Sequence, residues 1–160
     1  MAILEIKKYP DPILRKKCNE VKEVTQEIKK LSWDMIETME AAPGSGLAGP
    51  QVGKLKKIIV AQTEKEPLIL INPKILKKSK ETEIMEEGCL SFPGLWLRIK
   101  RAKSVEVEAL DINGKKTKIK AEGLPARVIQ HEIDHLSGIL FIDRVGFLER
   151  LKLKKQFKAL

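Results

Sequence analysis

The sequence predicts an α+β fold: a mainly antiparallel sheet packed around one central helix, with a further helix at the C-terminus. Three observations carry that prediction. Val105, Val107 and Ala109 alternate with Glu106 and Glu108, and beyond an Asn113-Gly114 turn Thr117, Ile119 and Ala121 alternate with Lys118 and Lys120, the period of a strand pair. Ile28, Leu31, Met35, Ile36, Met39 and Ala42 fall at helical spacing. Both histidines of the chain lie in His131-Glu132-Ile133-Asp134-His135, within a stretch that opens on Pro125 and closes on Gly138 as helices do.

Taken in order, Tyr9-Pro10-Asp11-Pro12 reads as a turn, with Asp11 capping a short helix through about Cys18. Thr25 is a good N-cap for a longer helix that Pro43 stops after Ala42. The run from Gly44 to Gln51 is too glycine-rich for a helix, and Ile58–Ala61 and Leu68–Ile71 read as buried strands. In the later hairpin, placing Val107 opposite Ile119 requires a three-residue loop, Ile112-Asn113-Gly114, with Gly114 left-handed. That register also sets Glu108 against Lys118 and Glu106 against Lys120, whereas a two-residue turn would oppose valines and lysines. A helix from Pro125 to about Ser137, a strand, and a last helix over Phe147 to Leu160 complete the order.

The 160 residues fit a single domain spanning 1–160, and 42% apolar content with 33% charged argues against disorder. No run approaches the ~18 uncharged apolar residues that a membrane helix requires. Glu5, Lys7 and Lys8 interrupt the place where a signal peptide would be apolar, and two cysteines cannot build a disulfide framework. A cytoplasmic protein without a membrane partner is expected. The net charge of +9 suits either a solvated lysine surface or an anionic partner such as nucleic acid.

Histidines four apart on a helix share one face, one turn apart, so both can reach one metal ion at ~2.0–2.1 Å. Glu132 stands beside them, placed to handle a proton on water without coordinating. A catalytic site wants a third protein ligand and an open position. With no third histidine, that ligand is Cys89, upstream in Glu86-Glu87-Gly88-Cys89-Leu90-Ser91, or Asp143 or Glu149 downstream, and Cys89 is the better companion for two imidazoles. Cys18, in Arg15-Lys16-Lys17-Cys18, reads as a packing residue. A zinc endopeptidase would draw its ligand from downstream. An RNA-binding module with a structural metal would want a fourth protein ligand, for which no histidine or nearby cysteine remains.

Three segments in series, Gly44-Ser45-Gly46-Leu47-Ala48-Gly49-Pro50-Gln51, Glu87-Gly88-Cys89-Leu90-Ser91 and Gln130-His131-Glu132-Ile133-Asp134-His135-Leu136, resemble peptide deformylases in order and separation. The opening Tyr9-Pro10-Asp11-Pro12-Ile13-Leu14-Arg15 is also similar, so the resemblance covers nearly the whole chain. Gly49 departs from the family, which usually carries a second alanine there, and is expected to loosen its loop. The resemblance implies removal of the N-formyl group from the formylmethionine of newly made polypeptides. It implies that Cys89, His131 and His135 hold a divalent metal, Fe2+ by family preference, with Zn2+, Ni2+ and Co2+ also suited to the donors. Water in the open position would attack the formyl carbon, with Glu132 as general base and then acid, and with the Gln51 side-chain amide and Leu90 N–H donating to the oxyanion. Gly46 is expected to meet the peptide main chain as an added strand would. Leu124 and Val128, before His131 on the metal-facing side of the helix, and Met85 are expected to line the methionine pocket. Asp134 and Arg101 are expected to pair beside the site. A monomer is expected, whose basic C-terminal helix either docks near the ribosomal exit or packs through Leu151 and Phe157.

Overall fold

The computed structural model describes residues 2–156. Asp11 does act as a cap, accepting the Ile13 N–H at 3.0 Å, but it opens only a single 3-10 turn, Pro12–Arg15. The chain does not stay helical to Cys18. It is pressed against the end of the central helix, where a side chain on Gly138 would come within 2.5 Å of the Arg15 carbonyl oxygen, and the Cys18 N–H is claimed by the Leu136 carbonyl. Cys18 is a buried core residue, in keeping with its reading as a packing residue.

Helix α1 (Gln26–Ala41) starts at Thr25, whose hydroxyl accepts the Ile28 N–H. The glycine-rich run read as irregular holds strand β1 (Gly46–Ala48) and a 3-10 turn, Gly49–Val52. Strand β2 is Ile58–Ala61, and β3 (Leu68–Lys78) continues past Ile71 through register shifts. Two long strands that the sequence reading missed follow, β4 (Thr82–Cys89) and β5 (Phe92–Ala102). Strands β6 (Ser104–Leu110) and β7 (Lys116–Glu122) pair in the expected register, Val107 opposite Ile119, with Gly114 left-handed at φ +79°. Helix α2 (Leu124–Leu136) ends at Ser137 and a left-handed Gly138. A 3-10 turn, Phe141–Asp143, stands where a strand was expected, because Arg15 and the Leu140 N–H draw Asp143 back into a turn. Helix α3 covers Phe147–Gln156, with the rest of the expected helix, including Phe157, outside the described residues. It packs through Leu153, and Leu151 is largely exposed.

The strands form a five-stranded antiparallel sheet in the order β1-β2-β3-β6-β7 and a separate two-stranded ribbon, β4-β5. Strand alternation divides the core into two layers. Ala48, Ile59, Leu70, Val105 and Val107 pack with Ala126, Ile129 and Leu136 of α2. Leu47, Ile58, Val60 and Ile71 pack with Ile28, Met35, Ile36 and Met39 of α1 on the opposite side. A third cluster joins Phe92, Leu97 and Ile99 of the ribbon to Leu14, Phe141 and Leu153. Charged residues pair in rows across the sheet, Lys74-Glu108-Lys118 and Lys77-Glu106-Lys120.

Gly49 does not loosen its loop. A side chain there would run into the carbonyl oxygens of Lys56 and, at 2.6 Å, Lys54, and the Lys54 N–H closes on the Gly49 carbonyl at 2.9 Å. The glycine lets the chain from Lys54 to Lys56 lie directly on it. Gly49→Ala is therefore expected to lower stability by about 1–3 kcal/mol, read as a lower denaturant midpoint. Unchanged stability would show that this segment yields freely.

Burial alone would raise the Asp143 carboxyl, but Arg15 and the Leu140 N–H outweigh it and hold it below its ordinary 3.8. The stabilisation is therefore fully present above that ordinary value and disappears as acid takes the pH down through the lowered one. Because the pair is partly exposed, the effect is only about 0.2–1 kcal/mol. Denaturant midpoints of wild type and Asp143→Asn should differ at neutral pH and converge in strong acid.

Candidate metal centre

Cys89 ends β4, while His131 and His135 lie one turn apart on buried α2. Packing of the ribbon on α2 brings one ligand atom from each residue within 4.8 Å of the other two. Cys89 Sγ stands 3.5 Å from His135 Nε2. Sulfur at about 2.3 Å and nitrogen at 2.0–2.1 Å from one tetrahedral ion would be separated by about 3.5 Å. Spacing and donor chemistry thus fit a divalent transition metal, and among the described residues this is the one grouping of its kind. Of the two downstream alternatives, Asp143 faces Arg15 instead, and Glu149, on α3, is not in the grouping either.

His131 is oriented from behind, its Nδ1 hydrogen-bonded to Glu87 Oε1 at 2.9 Å, which leaves Nε2 for a cation. Glu87 is buried and also accepts from Arg101 Nε (2.7 Å) and Nη2 (3.0 Å) and from Arg127 Nη1 (2.6 Å). Arg127 continues to the carbonyls of Ile99 and Glu83, tying α2 to both ribbon strands. The expected partnership of Arg101 with Asp134 is present at 2.9 Å. Gln51, in the 3-10 turn after β1, accepts the Ala48 N–H on Oε1 and points Nε2 at Ser91 Oγ (3.2 Å) and Cys89 Sγ (3.6 Å).

Burial would raise the Glu87 carboxyl, but His131 and Arg101 override it and hold it at about 2. Burial dominates at Glu132 and pushes it up to about 7. Burial also disfavours charge on His131, yet Glu132, Cys89 and Glu87 outweigh it and raise that imidazole well above 6.5. His135 goes the other way, kept neutral by burial and by its charged neighbours, as a ligand must be. Anionic surroundings that favour a proton on His131 favour a metal cation at the same place.

Gly46 explains how β1 approaches α2. A Cβ there would lie 2.7 Å from Glu132 Oε2 and 2.8 Å from Val128 Cγ1, so only glycine lets the strand pass over the carboxylate. Glu132 Oε1 is buried without a hydrogen-bond partner among the described residues. The site opens into a cleft of about 540 Å3, whose walls include Gly46, Gln51, Leu90, Val128, Leu124 and Trp96. Val128 is buried on that wall and Leu124, 57% exposed, sits at its rim. Leu90 lies in the tight turn between β4 and β5, its carbonyl accepting from Lys8 Nζ. Met85 is placed otherwise than expected: half-buried on β4 opposite Ile99, it is not among the residues around the cleft. It lies two pairs farther along the ribbon than Glu87, beyond the cleft's end.

Glu87, Arg127 and Ser91 were not singled out from sequence. One signal could have found Glu87: on a strand it shares a face with Cys89, two residues on.

The polypeptide deformylase family model matches residues 3–151. The peptide deformylase of Thermodesulfovibrio yellowstonii is 51% identical, over 99% of this chain and 99% of that protein. That of Halothermothrix orenii is 52% identical over 91% of this chain and 95% of its own length. Among solved structures, the peptide deformylase of Thermotoga maritima superposes with a TM-score of 0.89 at 42% identity, covering 91% of this chain and 99% of that one. The Ehrlichia chaffeensis enzyme in complex with actinonin gives 0.90 at 41% identity, covering 98% of each chain.

Because Glu87 sets the His131 ring, Glu87→Gln should weaken metal binding about 10–100-fold in competition with a chromophoric chelator. An unchanged dissociation constant would show that the two ligands on α2 need no such support.

Proposed function

This chain belongs to the polypeptide deformylase family, and on that premise we propose that it removes the N-formyl group from the formylmethionine of newly made polypeptides. The observation that carries the reading is the convergence of Cys89, His131 and His135 beside the unclaimed Glu132 oxygen, on the wall of an open cleft. These three residues would hold one divalent metal, Fe2+ in the family's manner, with Zn2+, Ni2+ or Co2+ as substitutes. When bound, such an ion lowers the pKa of water toward neutrality and polarises a carbonyl oxygen.

The remaining work falls to the chain's own groups. Glu132 Oε1 takes a proton from the attacking water and later delivers it to the leaving amine, so that formate and a free methionine N-terminus result. As water adds to the formyl carbon, its oxygen becomes negative, and Gln51 Nε2 and the Leu90 N–H donate to it, each worth about 3–4 kcal/mol. The Ser91 and Ala48 contacts hold the Gln51 amide so that it need not reorient as charge develops. Gly46, on an edge strand of the sheet, offers its backbone to the peptide as a neighbouring strand would. Val128 and Leu124 flank the methionine side chain.

We place this activity in the cytoplasm and in a monomer. No helix of the described residues is long and apolar enough to cross a membrane. Helix α3 exposes Phe147, Leu148 and Leu151 and carries Lys152, Lys154 and Lys155, a composition suited to docking near the ribosomal exit among RNA phosphates.

Anaerobic assay of a formyl-Met peptide, with released formate measured, tests the roles. Glu132→Ala should retain its metal while kcat falls by about 10²–10⁴-fold. Equal turnover would remove Glu132 from the reaction, and cleavage of internal bonds in an unformylated peptide would mark an endopeptidase instead.

A further inference from the structure

The support behind His131 does not stop at Glu87. A chain of charged hydrogen bonds runs from His131 through Glu87 and Arg101 to Asp134, and ends at Arg144. Arg144 Nε and Nη2 grip the two Asp134 oxygens at 3.0 and 2.7 Å. The Arg144 side chain is 41% exposed, against 13% for Asp134 and 4% and 5% for Arg101 and Glu87. It follows the 3-10 turn at Phe141–Asp143 and precedes α3.

We propose that Arg144 is a positioning residue for the metal centre, clamping Asp134 so that the Arg101 fork, and through Glu87 the His131 ring, keep one orientation. The inference rests on the reading of Cys89, His131 and His135 as ligands. Arg101 is a rigid plane with Nε and Nη2 on Glu87 and Nη1 on Asp134, so movement of Asp134 turns the whole guanidinium. Glu87 Oε1 is shared between Arg101 Nη2 and His131 Nδ1, so that turn alters what the imidazole receives. Arg127 holds the other oxygen, Oε2, and does not replace this contact. Without Arg144, Asp134 keeps Arg101 as its one side-chain partner among the described residues and is free to swing toward water.

The test uses the full chain loaded with cobalt(II), as wild type, Arg144→Ala, Arg144→Lys and Arg15→Ala. Arg144→Ala should release cobalt to a chelator faster by up to about tenfold, the low end of what a partner touching a ligand is worth, and shift the visible absorption bands. Arg144→Lys, which keeps the charge but not the two-pronged grip, should fall between. Arg15→Ala breaks the neighbouring ion pair with Asp143 and should leave both readouts at wild-type values. Wild-type spectrum and release rate in Arg144→Ala, or equal changes in Arg15→Ala, overturn the inference while leaving the metal site standing. Failure of wild type to take up cobalt removes the site itself, and this inference with it.

Discussion

A carboxylate shut away from water must be answered by positive charge and hydrogen bonds, and Glu87 is that carboxylate here. Arg101 reaches it from β5, Arg127 and His131 from α2, while its own strand leads directly to Cys89. The ribbon shares no strand pairing with the larger sheet, and two strands alone are marginal in water. The Glu87 contacts and Arg127 tie it to α2, and the cluster around Phe92, Leu97 and Phe141 packs it against the segment that follows that helix. Sulfur and imidazoles meet because those side chains set the register between two separate pieces of sheet and helix. Removing one partner of such a buried ion pair typically costs about 3–5 kcal/mol, so binding-site geometry and stability are not independent here.

What could be read from the sequence divides along physical lines. Helix α1 and the β6–β7 register followed from period and turn chemistry, β2 from its unbroken apolar run, and α2 from Pro125, Gly138 and the paired histidines rather than from an apolar face. The ribbon escaped because the alternation holds in burial but not in polarity. Leu97, Ile99 and Arg101 point inward, as does Glu87 across from Leu97, so two of the inward positions carry charge. The same feature hid Glu87, the inward carboxylate that bonds to His131. The grouping itself was approachable, since a two-histidine helix without a third histidine leaves few donor types beside it, and Cys89 is the candidate that the fold brings to those histidines.

Two glycines three apart in one short run show how close approach can serve opposite ends. Gly46 leaves room for the Glu132 carboxylate on the wall of the cleft, and Gly49 leaves room for backbone carbonyls. Neither has a left-handed backbone, so what calls for glycine at each is the space beside it and not its φ angle. Gly46 lets β1 lie against α2, and Gly49 lets the 3-10 turn that it opens lie against residues 54–56; from that turn the Gln51 amide comes to face a thiol from another sheet.

The sheet has two borders, β1 and β7. Along β7, Lys116, Lys118 and Lys120 repeat at every second position, a pattern that discourages a stray extended chain from joining there. At the other border the first residue is a bare glycine directly over Glu132. An extended chain joining either edge would use the same backbone hydrogen bonds, so lysine decoration of one margin leaves the other as the less guarded of the two.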